Sequence, residues 1–564
     1  MEIVRRTVPE SAAALVAAGI GPVLARVYAA RGVASPADLA LDLDGLPSWR
    51  ALKGIDAAAD RLARAIARGE KLLIVADYDA DGATACAVGV LGLRALGASV
   101  DFLVPNRFEY GYGLTPEIVA LAAERSPALL VTVDNGIGSV EGVAAARARG
   151  IEVLITDHHL PGAELPATEL IVNPNQPGCA FPSRHLAGVG VMFYVLLGLR
   201  ARLREQRRFS GKAEPNLASL LDLVALGTVA DVVLLDRMNR ILVDHGLRRI
   251  RAGRMQPGVR ALFAAAGRDP AWASAYDLGF VIGPRLNAAG RLADMSIGIA
   301  CLLAPDDATA TPLAAELDRL NRARREVEAA MQSEALDGLD ATVGAEQCTL
   351  CAYRPQWHQG VIGVVASRLK DRFHRPTIVF ARASYGELRG SGRSIAGFHL
   401  RDALDLVAKR RPGMIRRFGG HAFAAGLTLP EAALPEFVAE FESVGRERLS
   451  AAALRRTIET DGELAPAELN LALARSIAGE VWGQGFPAPL FEGDFGVLEQ
   501  RVIGGKHVRL TLSASTARIE GVLFDHLGPL PDRIRATYRP EVNRYQDLES
   551  LQLVIDSWHS PQSP

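Results

Sequence analysis

The chain has 564 residues, 49% of them hydrophobic, and a formal net charge of −1, so bulk charge gives no sign of a nucleic-acid-binding protein. Its length predicts several domains, because single hydrophobic cores stop growing near ~250–300 residues. Its longest uncharged apolar run, Leu186–Leu199, is too short to cross a bilayer, and the N-terminal residues MEIVRR lack the apolar region of a signal peptide. The five cysteines are scattered, which favours a reducing cytoplasm over a disulfide framework.

Residues 1–50 are predicted to be a small helical segment ahead of an α/β unit. In that unit the short apolar runs Leu72–Ala76, Leu129–Val133 and Ile151–Thr156 alternate with helical patterns. Uninterrupted runs of this kind are typical of parallel strands buried on both faces. Their alternation with helices predicts a doubly wound parallel sheet, whose ligands bind outside the carboxyl ends of the strands. The predicted helices are Thr84–Gly97, Pro116–Arg125 and Val140–Arg149.

Acids or histidines follow each of the three runs. Carboxylates with one or two histidines and no thiolate suit Mn²⁺ or Mg²⁺ rather than structural zinc. We therefore predict a divalent-metal site, and a pair of ions would need a bridging carboxylate, for which Asp79 and Asp134 are candidates. Of the adjacent His158 and His159, one can bind metal while the other faces the scissile phosphate. The side chains after the runs are Asp77, Asp79, Asp81, Asp134, Asp157, His158 and His159.

A further acid, Asp231, falls inside an apolar helix predicted over Leu220–Leu235. It is either a helix-end surface residue or a metal ligand, and the metal crevice favours the ligand because Asp is rarely buried unpaired. The stretch Ala201–Pro215 is a predicted exposed connection. Residues 313–338 carry an amphipathic stripe that predicts a long helix leading to a second α/β domain.

The second α/β domain and the C-terminal region complete the predicted architecture. Residues 455–564 hold short alternating runs that predict a small β-barrel or sandwich. Basic residues cluster at 248–254 and 406–430, either as solvated helix faces or as patches for nucleic acid. The second domain is predicted to contain strands Cys348–Tyr353 and Thr377–Ala381 and helices Val361–Arg372 and Leu400–Arg410.

The ordered motifs resemble those of the DHH phosphoesterase superfamily. DYDADGAT, the Asn106-Arg107 pair, DNG, DHH and LGTVADVV carry that resemblance. GPRLNAAGR (283–291), WHQGVIGVVASRL (357–369), GSGRSI (390–395) and GGHAFAAG (419–426) resemble the RecJ branch, the single-strand-specific 5′→3′ DNA exonucleases of bacteria. The resemblance covers roughly residues 50–560.

This resemblance implies a domain order and an activity. The activity is hydrolysis of single-stranded DNA to 5′-mononucleotides by a two-metal mechanism in DNA repair and recombination, with single-strand-binding protein and a RecQ-type helicase as partners. Two rivals are a small-molecule or short-oligonucleotide phosphodiesterase, which the added C-terminal barrel and basic segments disfavour, and a non-catalytic DNA-binding scaffold, which the retained carboxylates and histidines disfavour. The implied domains are an N-terminal helical segment (1–50), a DHH catalytic domain (51–252), a helical connector (253–344), a DHHA1 domain (345–452) and an OB-fold domain (453–564).

The resemblance also implies a ligand set for two Mn²⁺ (or Mg²⁺) ions. Asp134 and His159 are the implied catalytic residues, with His159 facing phosphate. Many superfamily relatives have a histidine where this chain has Leu73, so Asp81 is either an extra ligand or the cap of the following helix. The implied ligands are Asp77, Asp79, Asp134, His158 and Asp231.

Substrate contacts are implied by the remaining motifs. Each arginine has a structural salt bridge as its alternative, and the small residues of 283–291 suggest a backbone close to a ligand. Arg393, with Ser391 and Ser394 beside it, is the predicted pocket for a 5′-phosphate, the alternative being an ordinary Gly/Ser loop. The implied contacts are Asn106, Arg107, Arg285, Asn287, Arg291, His358, Ser391, Arg393, Gly419, Gly420 and His421.

Overall fold

The computed structural model of the chain describes residues 2–105, 110, 113–211, 213–339, 347–383, 386–515, 517–546 and 548–560. The chain divides into two compact units, Arg5–Asp318 with Glu459–Pro564 and Arg319–Ile458 with Met1–Val4. Within the described ranges, no helix combines the length and the apolar character needed to cross a membrane. All five cysteines are described, and each is a free thiol.

The N-terminal segment is less helical than predicted. Three short 3₁₀ turns separate its helices from the first helix of the α/β unit, which ends at Gly69 in the left-handed conformation (φ 64°) that suits glycine. The elements are β1 (Glu2–Arg5), α1 (Ser11–Ala17), α2 (Pro22–Ala29) and α3 (Ile55–Arg68).

A five-stranded parallel sheet forms the centre of the larger unit. Its strand order is β3-β2-β4-β5-β6, so the winding reverses between β2 and β4. Sheets of this order bind ligands at that reversal, outside the carboxyl ends of the strands. The predicted doubly wound sheet is confirmed, and the three predicted strands agree with the structure to within one residue. The strands are β2 (Lys71–Ala76), β3 (Ser99–Leu103), β4 (Leu129–Val133), β5 (Glu152–Thr156) and β6 (Ile171–Val172).

Helices connect and cover the strands. The helix Gly188–Glu205 extends five residues into the predicted connection 201–215. It does so because Leu203 is buried and because Arg202 and Arg204 suit a helix C-terminus. These helices are α4 (Ala80–Ala95), α5 (Pro116–Ala123), α6 (Val140–Ala148) and α7 (Gly188–Glu205).

The helix predicted over Leu220–Leu235 ends five residues early, since α8 spans Leu221–Ala230 and the next helix, α9 (Arg237–Arg251), begins only after a break. Asp231 ends α8, and Val232 then adopts a left-handed φ of 63°, which a helix cannot continue through. Asp236 begins α9 by accepting a hydrogen bond from the Asn239 amide at 3.0 Å. The prediction failed because apolar composition continues across this break.

The connector contains an unusual helix and a long one. The π-helix Asp277–Ile282 leads directly into α11, and the final helix has 33 residues, about 50 Å, with Pro312 inside it. The prediction that this helix begins at 313 is therefore six residues short. The elements are α10 (Pro257–Ala265), α11 (Gly283–Leu292), α12 (Ser296–Leu302) and α13 (Asp307–Leu339).

The smaller unit contains a mixed sheet of order β10-β11-β9-β8-β7. Only two of its five strands were predicted, because β9 and β10 each contain two glycines and β11 contains Ala-Ala-Gly and a terminal proline, residues that are depleted in strands. Its elements are β7 (Leu350–Tyr353), α14 (Ile362–Phe373), β8 (Thr377–Arg382), β9 (Glu387–Arg393), α15 (Leu400–Arg410), β10 (Arg417–Gly420), β11 (Ala424–Pro430) and α16 (Leu434–Arg448).

The C-terminal region closes into a five-stranded barrel of order β13-β14-β15-β17-β16, with β15 and β17 parallel. The barrel prediction is confirmed and its sandwich alternative is excluded. The elements are β12 (Thr457–Thr460), α17 (Leu471–Gly479), β13 (Phe491–Ile503), β14 (His507–Ala514), β15 (Ala517–Leu523), β16 (Arg533–Tyr545) and β17 (Leu548–His559).

Candidate metal centre

The first two strands at the winding reversal each deliver carboxylates to the crevice. Asp77 and Asp79 follow β2, and Asp79 caps α4 by accepting a hydrogen bond from the Gly82 amide at 3.0 Å. Asp134 follows β4 in a left-handed conformation (φ 61°), which Asp tolerates better than most residues. A Cβ on Gly188 would lie 2.6 Å from the Cβ of Asp134, so this glycine lets α7 approach the acid.

The third strand, β5, delivers the two histidines on a fixed turn. Asp157 anchors that turn: its Oδ1 accepts the amides of His158 and His159 at 2.7 and 3.1 Å, and its Oδ2 accepts the Ile137 amide at 2.9 Å. The same Oδ1 lies 2.8 Å from Nδ1 of His159. Asp157 therefore sets both the backbone and the ring of His159.

Asp81 stabilises a helix, but not the helix that the sequence predicted. Its Oδ2 accepts the Gly188 amide at 2.6 Å and its Oδ1 the Val189 amide at 2.9 Å, both at the N-terminus of α7. The cap of its own helix, α4, is Asp79. The prediction that Asp81 caps the following helix is wrong, because the buried Asp81 side chain faces the neighbouring helix.

Within the described ranges, the ligand atoms form three overlapping groups, each with its atoms within 4.8 Å of one another. Asp134 belongs to two groups and His158 to two. From Nε2 of His158, Asp134 Oδ1 lies at 3.1 Å and Asp231 Oδ2 at 3.5 Å. The groups are Asp77–Asp79–Asp134, Asp134–His158–His159 and Asp81–His158–Asp231.

Burial and mutual repulsion dominate the electrostatics of this cluster. Burial, followed by the charges of Asp81 and Asp79, raises the pKa of Asp134 well above its ordinary value, and the same causes raise the pKa of Asp231. Burial and Asp79 raise the pKa of Asp81 to about 7, against the opposing effect of its two backbone hydrogen bonds. Carboxylates crowded in this way are stabilised by a cation, and their oxygens with imidazole nitrogens fit Mn²⁺ or Mg²⁺.

His159 has the opposite electrostatic character. Burial of its ring disfavours protonation, but the hydrogen bond to Asp157 and the surrounding carboxylates outweigh burial and raise the pKa of His159 to about 9. These contacts favour the protonated imidazole in the metal-free chain. It can hold a proton beside the cluster, or stabilise negative charge on a phosphate.

Helix α11 braces the loop that carries Asp77 and Asp79. Asn287 Oδ1 accepts the Ala80 amide at 2.9 Å, and a Cβ on Gly290 would lie 1.9 Å from the Tyr78 carbonyl oxygen. Gly290 therefore packs directly on this loop. That the small residues of 283–291 also bring the backbone close to a ligand stays a prediction.

Arg285 has its predicted alternative, a structural salt bridge. Its Nη2 lies 2.8 Å from Asp318 Oδ1, its Nε donates to the same oxygen at 3.0 Å, and its Nη1 donates to the Val281 carbonyl at 2.6 Å. The guanidinium is buried and its three nitrogens are engaged, which leaves it poorly suited to a phosphate. Arg291 is half-buried on the same helix.

In the smaller unit, four of the predicted contacts lie on the glycine-containing strands β9 and β10. Ser391 and Arg393 are on β9, in a strand rather than the predicted alternative loop. Ser391 is in register with Gly426, and Gly426 with Gly419, so glycines extend the row across the sheet. We call Ser391, Arg393, Gly419 and Gly426 the glycine–arginine face. Gly420 pairs with Ala425 and lies on the opposite face of the sheet.

Arg393 donates to Ser391 Oγ at 3.3 Å and to the Gly392 carbonyl at 2.8 Å. No described acidic residue forms an ion pair with it, and burial lowers the pKa of its guanidinium without removing the charge. Its Nη2 lies 3.0 Å from where a Cβ on Gly363 would be, in the first turn of α14. An unneutralised arginine at a helix N-terminus suits an anion.

The other predicted contacts have mixed outcomes. His421 is exposed in the β10–β11 hairpin, where its amide donates to the Ala424 carbonyl at 2.7 Å. His358 is exposed, and its Nδ1 accepts the Gly360 amide at 3.1 Å. Asn106 and Arg107 lie outside the described residues.

Much of the basic cluster in 406–430 is neutralised. Lys409 pairs with Asp405, and Arg410 and Arg411 pair with acids of α16, including Glu440 at 3.4 and 3.3 Å respectively. The solvated helix face, left open as the alternative, is what these three residues form.

The sequence pattern gave no role to Asp157, although the DHH motif that contains it was recognised. Two asparagines were also missed: Asn173 Nδ2 donates to the His159 carbonyl at 3.0 Å, and Asn175 Nδ2 to the His158 carbonyl at 2.6 Å. Their only sequence signal is the N-P-N run after β6, whose closeness to β5 depends on strand pairing.

Three stretches of the chain match family models. They are the DHH family N-terminal domain over residues 71–228, the DHHA1 domain over 346–447 and the RecJ OB domain over 460–557. The chain is 51% identical to the single-stranded-DNA-specific exonuclease RecJ of Dickeya dadantii (strain 3937), over 94% of this chain and 95% of that protein. With the protein of that name from Escherichia coli (strain K12) it shares 48% identity over 99% of both.

Solved structures agree with these similarities. The structure of RecJ from Thermus thermophilus in complex with Mn²⁺ superposes with a TM-score of 0.82 at 31% identity, covering 100% of this chain and 80% of that one. The complex of that protein with Mg²⁺ gives a TM-score of 0.77 at 29% identity, covering 100% and 78%.

Proposed function

The chain belongs to the RecJ family of single-stranded-DNA-specific exonucleases, and we propose on that premise that it removes 5′-mononucleotides from the 5′ end of single-stranded DNA, in repair and recombination. The observation that carries the proposal is the convergence of carboxylates and histidines where the winding reverses between β2 and β4. A non-catalytic scaffold would not need to keep this costly cluster.

The proposed ligands of two Mn²⁺ or Mg²⁺ ions are Asp77, Asp79, Asp134, His158 and Asp231. Asp134 is the proposed bridge, because it alone is shared by the Asp77–Asp79 pair and the histidine pair. When bound, such ions supply a hydroxide near neutral pH and neutralise charge on the phosphodiester. We assign Asp81 to positioning, since both of its oxygens accept amides of α7.

His159 is the proposed catalytic partner of the metal site. Its proton is held on a ring that Asp157 orients at 2.8 Å, so the imidazolium can stabilise phosphate charge or protonate the leaving oxygen. The Asn173 and Asn175 side chains fix the carbonyls of the histidine pair. The chain thus presents a positive group beside a negative cluster, as cleavage of a phosphodiester requires.

The glycine–arginine face is the proposed site for the terminal 5′-phosphate. Arg393 and Ser391 offer donors, and Gly419 has open space where a side chain would be. His421 and His358 are exposed in the same unit and are proposed to contact the strand. Asn106, Arg107 and Arg291 remain proposed contacts from the family resemblance alone.

The barrel is proposed to add affinity for longer strands. A cavity of about 220 Å³ lies on it, lined by Ile503, Arg509, Val522, Asn543, Tyr545 and Gln552. These residues lie on β14, β15 and β17 and at the ends of β13 and β16. OB-folds bind oligonucleotides on the face of their second and third strands, which here are β14 and β15.

We also propose the domain limits 51–252, 253–344, 345–452 and 453–564, which enclose the three matched stretches. Single-strand-binding protein and a RecQ-type helicase are the proposed partners, and the cytoplasm is the proposed location. Family resemblance supports these partners and this location.

The test uses single strands labelled at either end, with Mn²⁺ and with chelator. The proposal predicts early release of a 5′ label, slow loss of a 3′ label and no release in chelator. Equal rates on dinucleotides and long strands would favour the small-molecule phosphodiesterase. Tight binding without any release would favour the scaffold.

A further inference from the structure

An exposed row of aromatic rings lies on the connector segment that leads into α11. Trp272, Tyr276 and Phe280 follow one another at intervals of four residues, and they are 54%, 60% and 67% exposed. The rings of Tyr276 and Phe280 are stacked, with centroids 5.0 Å apart and planes at 24°. Single exposed apolar residues are common, but three large exposed rings within nine residues form an apolar patch of the kind that marks an interaction site.

The segment that carries these rings is held in place. Asp277 turns inward to accept the Ser274 amide at 2.9 Å and its hydroxyl at 2.7 Å, and Arg251 Nε donates to the Ala273 carbonyl at 2.8 Å. The π-helix Asp277–Ile282 begins directly after Tyr276, and such helices occur frequently at functional sites. The rings are therefore presented by a fixed backbone.

The row connects two parts of the larger unit. Near Phe280, a Cβ on Gly279 would lie 3.1 Å from Val229 Cγ1, and one on Gly283 would lie 3.1 Å from Ala230 Cβ. Val229 and Ala230 immediately precede Asp231 of the metal centre. At the other end, the guanidinium carbon of Arg544, on barrel strand β16, lies 3.9 Å from the centre of the Trp272 ring.

We propose that Trp272, Tyr276 and Phe280 form a stacking track for the bases of single-stranded DNA between the metal centre and the barrel. Every base has a π face, so aromatic rings hold single strands without reading sequence. Arg544 and Arg268 lie beside the track, but each is paired with an acid, Arg544 Nε with Glu549 Oε1 at 2.9 Å and Arg268 Nε with Asp277 Oδ1 at 3.9 Å. We therefore assign the binding at the track to base stacking and not to unpaired positive charge. The inference rests on the proposed function and adds a binding subsite to it.

The experiment compares rings with apolar bulk. Tyr276→Leu/Phe280→Leu removes both rings and keeps apolar side chains, whereas the matched control Tyr276→Phe/Phe280→Tyr keeps both rings. Affinity for a long single strand is measured by fluorescence anisotropy in chelator, so that no strand is cleaved. We expect the leucine variant to bind about tenfold or more weakly and the control to bind like wild type, because bases stack on aromatic rings and not on leucine side chains.

A second strand, whose bases are removed while its backbone is kept, isolates the stacking. We expect wild type and the leucine variant to bind this abasic strand equally. Equal affinity of the two proteins for the normal strand would overturn the track, and so would an equal loss on both strands, which would indicate a backbone or folding effect. A change of oligomeric state by light scattering with unchanged DNA affinity would instead assign the rings to a second copy of the chain.

Thermal unfolding checks that the variants fold. If the double leucine variant does not fold, Phe280→Leu alone, at the most exposed of the three rings, replaces it. Because binding needs no turnover, the two proposals fail separately. A wild type that binds long strands through these rings but hydrolyses none would contradict the nuclease and retain the track.

Discussion

The metal centre and the glycine–arginine face are opposite in charge and in construction. Around Asp134, several buried carboxylates lie close together, and some of them accept hydrogen bonds from amides at helix N-termini. The pKa of Asp134 is raised because it is buried and because the neighbouring carboxylates repel it. Around Arg393, side chains are replaced by glycine, and the guanidinium has no acidic partner in the described part of the chain. The first region therefore suits divalent cations, and the second suits an anion such as a phosphate.

Removing the shared acid should break the metal centre most completely. We predict that Asp134→Asn lowers turnover at least about 10³-fold, the scale of losing a central charge-stabilising group. Asparagine tolerates the left-handed φ of 61° there, so the loss reports on charge and not on backbone strain. The metal-free variant should also unfold at a higher temperature than metal-free wild type, because a repelling carboxylate is gone. Turnover within tenfold of wild type would remove Asp134 from the centre.

The two histidines should differ in what their removal costs. His159→Ala is predicted to lower turnover ~10²–10⁴-fold while metal still binds, because a charged imidazole is lost. His158→Ala should lose metal affinity, since Nε2 of His158 lies among the carboxylates. Calorimetric Mn²⁺ titration of both variants separates the roles. If both lose metal to the same degree, the assignment is wrong.

The role of the glycine–arginine face is tested by comparing single strands that carry a 5′-phosphate with strands that carry a 5′-hydroxyl. Arg393→Ala should lower the preference for a 5′-phosphate over a 5′-hydroxyl about 10- to 100-fold, the value of charge-assisted hydrogen bonds at ~1.5–3 kcal/mol. The control is Arg389→Ala, an exposed arginine two pairs along the same strand face that donates to Gln359 at 3.2 Å. A variant that keeps the full wild-type preference would place the end pocket elsewhere.

The brace on the metal loop should give the smallest effect. Asn287→Ala removes the acceptor of the Ala80 amide and should weaken Mn²⁺ binding about tenfold, the lower range for residues that orient ligands. Asn287→Asp keeps an acceptor oxygen and should restore affinity. If alanine and aspartate variants bind Mn²⁺ like wild type, the loop needs no brace.

The metal centre and the glycine–arginine face also differ in how far the sequence predicts them. Strands β2, β4 and β5 were predictable because buried parallel strands are continuous apolar runs, and the acids at their ends could be assigned to one crevice by the rule for such sheets. Strands β9–β11 were missed because they contain residues that are depleted in strands, and only pairing with a neighbour makes those residues a sheet.

Side-chain partners were harder to predict than ligands. Asp81 stabilises α7, a helix more than a hundred residues later in the chain, and Arg285 pairs with Asp318 on α13. No local pattern encodes either partner. The break at Val232 was also hidden, because apolar residues continue through it while the backbone turns left-handed.

The central claim is that the cluster around Asp134 is a two-ion centre, and calorimetric titration of the metal-free protein with Mn²⁺ tests it most directly. The account predicts two ions bound per chain in wild type and the loss of at least one in Asp134→Asn. Two ions bound equally well by wild type and variant would contradict it, as would a wild type that binds none.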